Sequence, residues 1–369
     1  MSARNDLSTI AGAQTYLAST PFASTRLTLL SGVHCNFTYR LHLATPYKGR
    51  TTLVMKHAQP YISLSATEKV YAMERQTFEA RALQKIREAL DCGPGAATVP
   101  VVHLFDEDAH VLIIEDCGEQ SCNLKQLFLT AAPTPAVARG IGLALGKFLG
   151  RLHAWGATDP TVIAAFSGNE QAKRITAWIT YERLVPMLTT DELPEVALLP
   201  TPITERDLAA IRSLVDKRIP EIYAARGALT MGDFWTGNVV IGPDPASADP
   251  AVHVIDWELV KPGVPALDLG QFCAEMQTLA LFRPQAAEAT AALIEAFLAE
   301  YRANCGTLAQ RAASIATQHM GAHLVVITPT VGWGPPEECV KAVELGLTYL
   351  LEGDSDNWVR ENSVFRQLI

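Results

Sequence analysis

The sequence predicts an α+β protein with a small antiparallel β lobe containing one key helix and a larger, mostly helical lobe. Residues 1–116 carry short runs of β-branched and aromatic residues separated by turn-forming segments, whereas apolar residues at helical spacing dominate residues 123–369. Of the 369 residues, 49% are hydrophobic, which is enough apolar material for a core in each lobe. We therefore expect two lobes joined by a hinge at residues 117–122.

Strands alternate with turns through most of the small lobe. The predicted strands are residues 25–32, 37–44, 50–58, 99–108 and 109–116. A helix at residues 6–19 is expected to cover this meander. Residues 66–90 are charged and carry apolar side chains three or four residues apart, which predicts one amphipathic helix ending before the breaker sequence DCGPG.

Helical patterns continue through the large lobe, interrupted by two or three short strands between residues 228 and 260. Helices are predicted at residues 123–129, 135–155, 171–188, 204–226 and from residue 267 onward. Residues 312–336 lack formal charge, but polar residues and prolines interrupt them where a membrane span of about 20 residues needs continuous apolarity. This stretch predicts a buried helix that ends near Pro329.

The charge balance argues against a nucleic-acid partner, because 30 basic residues face 39 acidic ones and the net charge is −9. The seven cysteines are scattered without a CxxC pair, which favours neither a disulfide framework nor a zinc ribbon. The N-terminal segment has no apolar core of the kind found in signal peptides. We expect a cytoplasmic protein without membrane contact, either a monomer or a weak homodimer, that acts on a small molecule.

The segment GDFWTGN holds the most informative polar residues. Asp233 and Asn238 are five residues apart on one loop, and Asp256 follows the apolar run VHVI. Phosphoryl transfer from a nucleotide needs a carboxylate that orients the acceptor and oxygen ligands for magnesium, and these three residues supply that set. Each taken singly is better explained as a turn former or a strand cap, whereas the set, with a lysine and a glutamate upstream, favours phosphoryl transfer.

An upstream lysine and glutamate complete this pattern. Lys56 ends the apolar strand TTLVMK, and Glu79 lies on the following helix, with Glu74 as a competing partner. A strand lysine held by a helix glutamate can neutralise nucleotide phosphates. Gly32 lies in a turn between strands, where a phosphate-covering loop belongs.

In their order along the chain, these features resemble the protein-kinase-like fold of the aminoglycoside phosphotransferase and choline kinase superfamily. The segments LSGVHCNFTYRL, LVMKHAQPYI, FSGN and VIDWELVKPGVPALDLGQF resemble its methylthioribose-kinase-like branch. The resemblance extends from about Leu27 to Leu350. It implies an ATP- and Mg²⁺-dependent kinase that phosphorylates a hydroxyl group of a metabolite.

The resemblance also implies roles for individual residues. Asp233 becomes the catalytic base, and the expected metal ligands are Asn238, Asp256 and Glu258. Residues 1–116 become the nucleotide-binding lobe, and residues 123–369 become the catalytic and substrate-binding lobe. The implied nucleotide-binding residues are Gly32, Lys56, Glu79, and the hinge residues Glu115, Asp116 and Cys117.

Some positions depart from the superfamily pattern. Met231 stands where aminoglycoside phosphotransferases commonly have histidine, and Asn238 stands where methylthioribose kinases have serine. The resemblance therefore favours an amine-bearing phenol or indole, such as a hydroxytryptamine, ahead of a thiosugar and an aminoglycoside. A nucleotide-binding pseudokinase is the alternative of another class, although the expected lysine and aspartates are all present.

Three further residues are candidates for acceptor binding. Trp235 and Trp333 offer indole faces on which an aromatic acceptor can stack, and Glu275 offers a carboxylate for an ammonium group. For the tryptophans, packing in the core or at its rim is the competing explanation. Asp268 precedes the helical sequence LGQFCAEM and is expected to be the N-cap of that helix.

Overall fold

The structure, a computed structural model, describes residues 6–31, 36–63, 68–90, 96–245, 250–308 and 311–369. The chain divides into one unit of Met1–Ala89 with Val99–Ser121 and a second of Leu90–Thr98 with Cys122–Ile369. An antiparallel sheet dominates the first unit, and helices dominate the second. The predicted α+β class is confirmed.

The first unit is built on a five-stranded antiparallel sheet with the strand order β1-β2-β3-β7-β6. Its helices are α1 (Ile10–Leu17) and α2 (Arg75–Leu90). The strands are β1 (Ser24–Ser31), β2 (Asn36–Tyr47), β3 (Arg50–Ala58), β4 (Tyr61–Ser63), β5 (Glu68–Val70), β6 (Val102–Asp106) and β7 (Val111–Glu115).

Alternation along β3 sorts its side chains onto two faces of the sheet. Leu53 and Met55 are fully buried in a core cluster that also contains Leu17 of α1. Lys56 is the next residue, so its side chain points to the other face, where it meets α2. The pleat of one strand thus places an apolar core on one side and an ammonium group on the other.

The helix expected from residue 66 begins instead at Arg75. Residues 68–70 form β5, which pairs with β4 as a small antiparallel hairpin. The prediction was wrong here because apolar spacing within residues 68–70 does not report their pairing with the neighbouring strand at residues 61–63.

Helices make up most of the second unit. The α-helices are α3 (Leu124–Thr130), α4 (Pro135–Thr158), α5 (Pro160–Phe166), α6 (Glu170–Thr176), α7 (Arg183–Thr189), α8 (Glu205–Ala224), α9 (Pro265–Phe282), α10 (Ala287–Asn304), α11 (Ala312–Val326), α12 (Pro336–Glu352) and α13 (Asp356–Asn362). A π-helix at Ala177–Glu182 joins α6 to α7, so the single helix expected at residues 171–188 is divided into three segments.

Five very short strands of the second unit form two small sheets next to the candidate site. They are β8 (Cys122–Asn123), β9 (Leu229–Thr230), β10 (Val239–Ile241), β11 (Val252–Val254) and β12 (Lys261–Pro262). One sheet has the order β11-β10-β8, and the other pairs β12 with β9. The loop from β9 to β10 and the loop from β11 to β12 therefore leave neighbouring parts of the same unit.

Glycines on one face of α4 allow a close approach of α10. Gly142, Gly146 and Gly150 are spaced four residues apart, so they lie on one side of the helix. A Cβ at Gly146 would lie only 2.2 Å from the carbonyl oxygen of Phe297 in α10. A larger residue at any of these positions would force the two helices apart.

The uncharged stretch from residue 312 forms α11, whose side chains are almost all buried in the second unit. It ends at Val326, shortly before the expected Pro329. No helix among the described residues is long and apolar enough to cross a membrane.

Candidate active site

At one point, the loop between β9 and β10 adopts a backbone conformation that strongly favours glycine. Gly232 has φ 82°, in the left-handed region. A Cβ at this position would lie 2.1 Å from Nζ of Lys261 and 2.5 Å from the carbonyl oxygen of Leu259. The residue directly before Asp233 is therefore restricted both by its conformation and by its neighbours.

The carboxylate of Asp268 holds this part of the loop. Its Oδ2 accepts a hydrogen bond from the backbone nitrogen of Met231 at 2.9 Å, and its Oδ1 accepts one from that of Gly232 at 3.0 Å. The expectation that Asp268 caps α9 was wrong, because the N-cap residue is Val264 and Asp268 lies within the first turn. Its carboxylate serves the loop instead of its own helix.

His153 supports Asp268 from α4. Its Nε2 donates to Oδ2 of Asp268 at 3.1 Å, and its Nδ1 is 2.9 Å from the hydroxyl of Tyr301. All three side chains are buried. A buried carboxylate with this many donors is held in one orientation, which makes Asp268 a rigid support for the loop.

Both oxygens of the Asp233 carboxylate accept hydrogen bonds from side-chain amides. Asn238 Nδ2 donates to Oδ2 and to the backbone carbonyl of Asp233, each at 3.0 Å. Gln271 Nε2 donates to Oδ1 at 2.8 Å. The five-residue spacing of Asp233 and Asn238 thus closes one tight loop.

Burial raises the pKa of Asp233 to about 7. The nearby carboxylates of Asp256 and Glu258 contribute to this rise, whereas the hydrogen bonds from Gln271 and Asn238 oppose it. A carboxyl group whose pKa lies close to neutral is suited to accept a proton and release it again.

Asp256, Glu258 and Asn238 offer the oxygen atoms that a hard divalent cation prefers. One carboxylate oxygen of Asp256 and one of Glu258 lie within 4.8 Å of each other. Asp256 has φ 67°, an uncommon conformation for a residue with a side chain and one often found at functional sites. Because both hydrogen bonds of Asn238 use its nitrogen, its Oδ1 accepts none within the described part of the chain. This donor set fits Mg²⁺.

Trp257, between the two carboxylates, points into the core. It is fully buried, donates its Nε1 hydrogen to the carbonyl of Val254 at 3.0 Å, and meets Phe148 edge to face. Alternation along this segment therefore keeps the indole away from the carboxylates on either side.

Lys56 and Glu79 form a buried ion pair within the first unit. Nζ of Lys56 donates to both carboxylate oxygens of Glu79, at 2.6 and 2.8 Å. Of the two candidate partners, the structure therefore pairs Glu79 with Lys56. Gln76 adds a hydrogen bond from its Nε2 to the carbonyl oxygen of Lys56 at 3.1 Å, which links α2 to β3 a second time.

The side chains of the predicted hinge are engaged within the first unit. Glu115 pairs with Arg50, and Asp116 accepts two hydrogen bonds from Arg40 at 2.7 and 3.0 Å. Burial, followed by the adjacent carboxylates, raises the pKa of the Cys117 thiol to about 12. The Cys117 thiol is therefore not a reactive thiolate at neutral pH. The groups that these residues offer to a ligand are those of the backbone. Gly32, the candidate for phosphate cover, lies outside the described residues.

Trp235 and Trp333 both lie close to the ammonium group of one lysine. Nζ of Lys125 is 5.6 Å from the ring centre of Trp235 and 4.2 Å from that of Trp333. The Trp235 ring covers Gly237, where a Cβ would come within 2.3 Å of it. Two indoles and one ammonium group therefore lie beside the loop that carries Asp233.

Glu275 is buried and satisfied by its neighbours. Its Oε1 accepts a hydrogen bond from His323 Nε2 at 2.9 Å, and its Oε2 lies 3.4 Å from the hydroxyl of Thr236. Burial raises its pKa, but the hydrogen bond and charge of His323 outweigh this and leave the pKa below its usual value. Glu275 thus contacts the loop between β9 and β10 at Thr236, and its role as an ammonium anchor stays a prediction.

Sequence reasoning missed three residues that contact the site. Gln271, Lys261 and Lys125 come close to the loop only through the packing of α9, β12 and α3. The spacing of Asp268 and Gln271, three residues apart on a helix, was the one available signal, since it places both on the same face.

An antiparallel β unit, a helical unit and a loop carrying Asp233 and Asn238 are the features expected of a phosphotransferase. The chain belongs to the phosphotransferase enzyme family, whose model matches residues 43–308. It is a small-molecule kinase that phosphorylates a hydroxyl group. The predicted superfamily is therefore confirmed.

Among similar proteins, the 4-hydroxytryptamine kinase of Psilocybe cubensis is 30% identical over 366 residues, which cover 95% of each chain. The methylthioribose kinase of Bacillus thuringiensis is 26% identical over 243 residues, covering 64% of this chain and 58% of its own.

Solved structures agree on the fold. The streptomycin–ATP–APH(2″)-IIa ternary complex aligns with a TM-score of 0.50 at 13% identity, covering 94% of this chain and 98% of its own. At this identity the similarity establishes the protein-kinase-like fold alone.

Proposed function

We propose that this chain transfers the γ-phosphoryl group of ATP, with Mg²⁺, to the hydroxyl group of an amine-bearing phenol or indole. The observation that carries this proposal is the 30% identity with a 4-hydroxytryptamine kinase over 95% of both chains. The residues needed for transfer, Asp233, Asn238 and Asp256, are all present. Their presence favours a working kinase over a pseudokinase.

Asp233 is the proposed base. Its carboxylate, held by two amides, orients the acceptor hydroxyl and accepts its proton as the oxygen bonds to the γ-phosphorus and ADP leaves. Since its pKa is raised to about 7, the group gives up that proton readily at neutral pH. The proton then passes to solvent, which restores the carboxylate.

Asn238, Asp256 and Glu258 are the residues proposed to hold magnesium. When bound, Mg²⁺ neutralises the negative charge that develops on the phosphate oxygens. The Nδ2 of Asn238 stays bonded to Asp233, so one side chain ties the proposed base to the proposed metal ligands. We expect Asp256 to be the stronger ligand, since carboxylates bind Mg²⁺ more strongly than amides.

Lys56 is proposed to bind the nucleotide phosphates, with Glu79 holding its ammonium group in place. The backbone of Glu115, Asp116 and Cys117 is proposed to bind adenine. Their acidic side chains are tied to Arg50 and Arg40, which leaves main-chain groups for the base.

The indoles of Trp235 and Trp333 are proposed to bind the aromatic ring of the acceptor. Stacking between aromatic rings contributes about 0.5–1.5 kcal/mol beyond the buried area. The ammonium group of Lys125 lies close to both rings, so the amine of the acceptor is expected to point away from this lysine. A thiosugar lacks such a ring and is therefore ranked second.

The test is ADP release with Mg²⁺ and ATP against a panel of hydroxytryptamines, methylthioribose, choline, homoserine and aminoglycosides. Asp233→Asn serves as the blank, and Asp191→Asn, at an exposed position, serves as the matched control. We expect turnover of a hydroxytryptamine that falls by about 10²–10⁴-fold in Asp233→Asn while ATP binding persists. Turnover confined to another class would overturn the acceptor assignment, and full activity of Asp233→Asn would overturn the mechanism.

A further inference from the structure

One face of α9 contacts three consecutive residues of the catalytic loop. Asp268 accepts hydrogen bonds from the backbone nitrogens of Met231 and Gly232. Gln271, three residues further along the helix, donates to Oδ1 of Asp233 at 2.8 Å. Residues three apart lie on the same side of a helix. Helix α9 therefore holds both the loop backbone, through Asp268, and the carboxylate of Asp233, through Gln271.

Asp233 needs a donor on each oxygen to keep one orientation. Its side chain has two rotatable bonds, and the carboxylates of Asp256 and Glu258 repel it. Asn238 holds Oδ2, and within the described residues Gln271 is the side chain that holds Oδ1. Hydrogen bonds to a charged acceptor are roughly twice as strong as neutral ones, so losing either donor frees the carboxylate to turn.

Gln271 is itself well fixed. The neighbouring Phe272 and Cys273 are fully buried. At Gly270, a Cβ would lie 2.7 Å from the carbonyl oxygen of Ala316 in α11, which shows how closely the two helices pack. The amide of Gln271 therefore points at Asp233 from a helix that has no room to shift.

We infer that Gln271 is a positioning residue: its amide holds the Asp233 carboxylate in the orientation that receives the proton of the acceptor hydroxyl. The inference rests on the proposed function, in which Asp233 is the base. It assigns to Gln271 no contact with ATP or with the acceptor. Its removal should consequently slow the chemical step without weakening substrate binding.

The kinetic test compares Gln271→Met and Gln271→Glu with Gln277→Met, which lies on the same helix and is also only partly buried. Methionine keeps the length of the side chain but has no donor, and glutamate keeps the shape but replaces the donor with an acceptor. We expect kcat to fall about 10- to 100-fold in both Gln271 variants, because misplacing a reacting group by about 1 Å has an effect of this size. KM for ATP and for the acceptor should stay within about threefold of wild type, and Gln277→Met should match wild type.

A second measurement needs no substrate. Urea unfolding midpoints of Asp233→Ala, Gln271→Met and the double variant form a double-mutant cycle. If the two side chains are bonded, the midpoint shift of the double variant should differ from the sum of the single shifts. Additive shifts would overturn the contact.

The outcomes separate this inference from the function it rests on. An active wild type with Gln271→Met at full kcat would overturn the role of Gln271 alone. A fall in kcat matched by an equal fall in Gln277→Met would also overturn it, since the effect would then belong to the helix as a whole. A wild type that turns over no acceptor would overturn the proposed function, and the positioning role with it, while the unfolding cycle would still report whether the contact exists.

Discussion

The backbone nitrogen of Gly232 donates a hydrogen bond to the Asp268 carboxylate at 3.0 Å, although the two residues are 36 positions apart. Gly232 has φ 82°, so the bond holds a turn that a residue with a side chain would resist. The position of Asp233, the next residue, follows from this turn. The site is therefore built on a contact between α9 and the loop.

Asp268→Asn should weaken both folding and catalysis. An amide has one acceptor oxygen where the carboxylate has two, so one of the two loop N–H groups is left unsatisfied at a cost of about 1–3 kcal/mol. We expect this loss in the free energy of unfolding by urea titration, together with a lower kcat. Asp216→Asn, at an exposed position of α8, should change neither. A variant as stable as wild type would mean that Asp268 does not support the loop.

Glu79→Gln should remove the negative charge that Glu79 supplies to the buried Lys56 ammonium group. Removing one partner of a buried ion pair typically costs about 3–5 kcal/mol, and both side chains are largely buried. We expect a loss near 3 kcal/mol in urea unfolding and a raised KM for ATP. Glu88→Gln, exposed on the same helix, is the control and should behave as wild type. Unchanged stability with a normal KM would contradict the role of the pair.

Lys125→Met should improve the binding of a cationic acceptor. The lysine places a positive charge close to two indoles, one of which belongs to the loop that carries Asp233. Removing the charge ends its repulsion of the acceptor amine, so KM for the amine should fall several-fold while KM for ATP is unchanged. Lys147→Met, at an exposed position of α4, should have no effect. A raised KM for the acceptor would show instead that Lys125 binds it directly.

Lys261 should make stability depend on alkaline pH. Burial lowers its pKa from 10.5 to about 8, against the opposing charges of Asp268 and Asp233. Between these two values the unfolded chain binds more protons than the folded protein, so stability rises with pH across this window. The free energy of unfolding should therefore increase by about 3 kcal/mol across this window, and the increase should be absent in Lys261→Met.

The measurement for Lys261 is the difference in unfolding free energy between wild type and Lys261→Met from pH 7.5 to 10.5. Other groups titrate in both proteins and cancel in this difference. Lys217→Met, exposed on α8, should show a difference that does not vary with pH. A flat difference for Lys261→Met as well would contradict the lowered pKa.

Local sequence patterns predicted the fold class and most of the helices, because the apolar spacing of a helix can be recognised within one continuous segment of the chain. They failed at residues 68–70, because helical periodicity does not encode the pairing of β5 with β4. They also assigned Asp268 to its own helix, although its partners lie in another loop.

The sequence by itself determined which residue types are available for phosphoryl transfer, because Asp233, Asn238 and Asp256 follow Lys56 and Glu79 in the order that this chemistry needs. Only the tertiary structure decided that Glu79 rather than Glu74 pairs with Lys56, and that Gln271 and Asp268 hold the catalytic loop. The reason is physical: spacing along a chain limits which side chains share a face, whereas hydrogen bonds between distant segments depend on how whole elements pack.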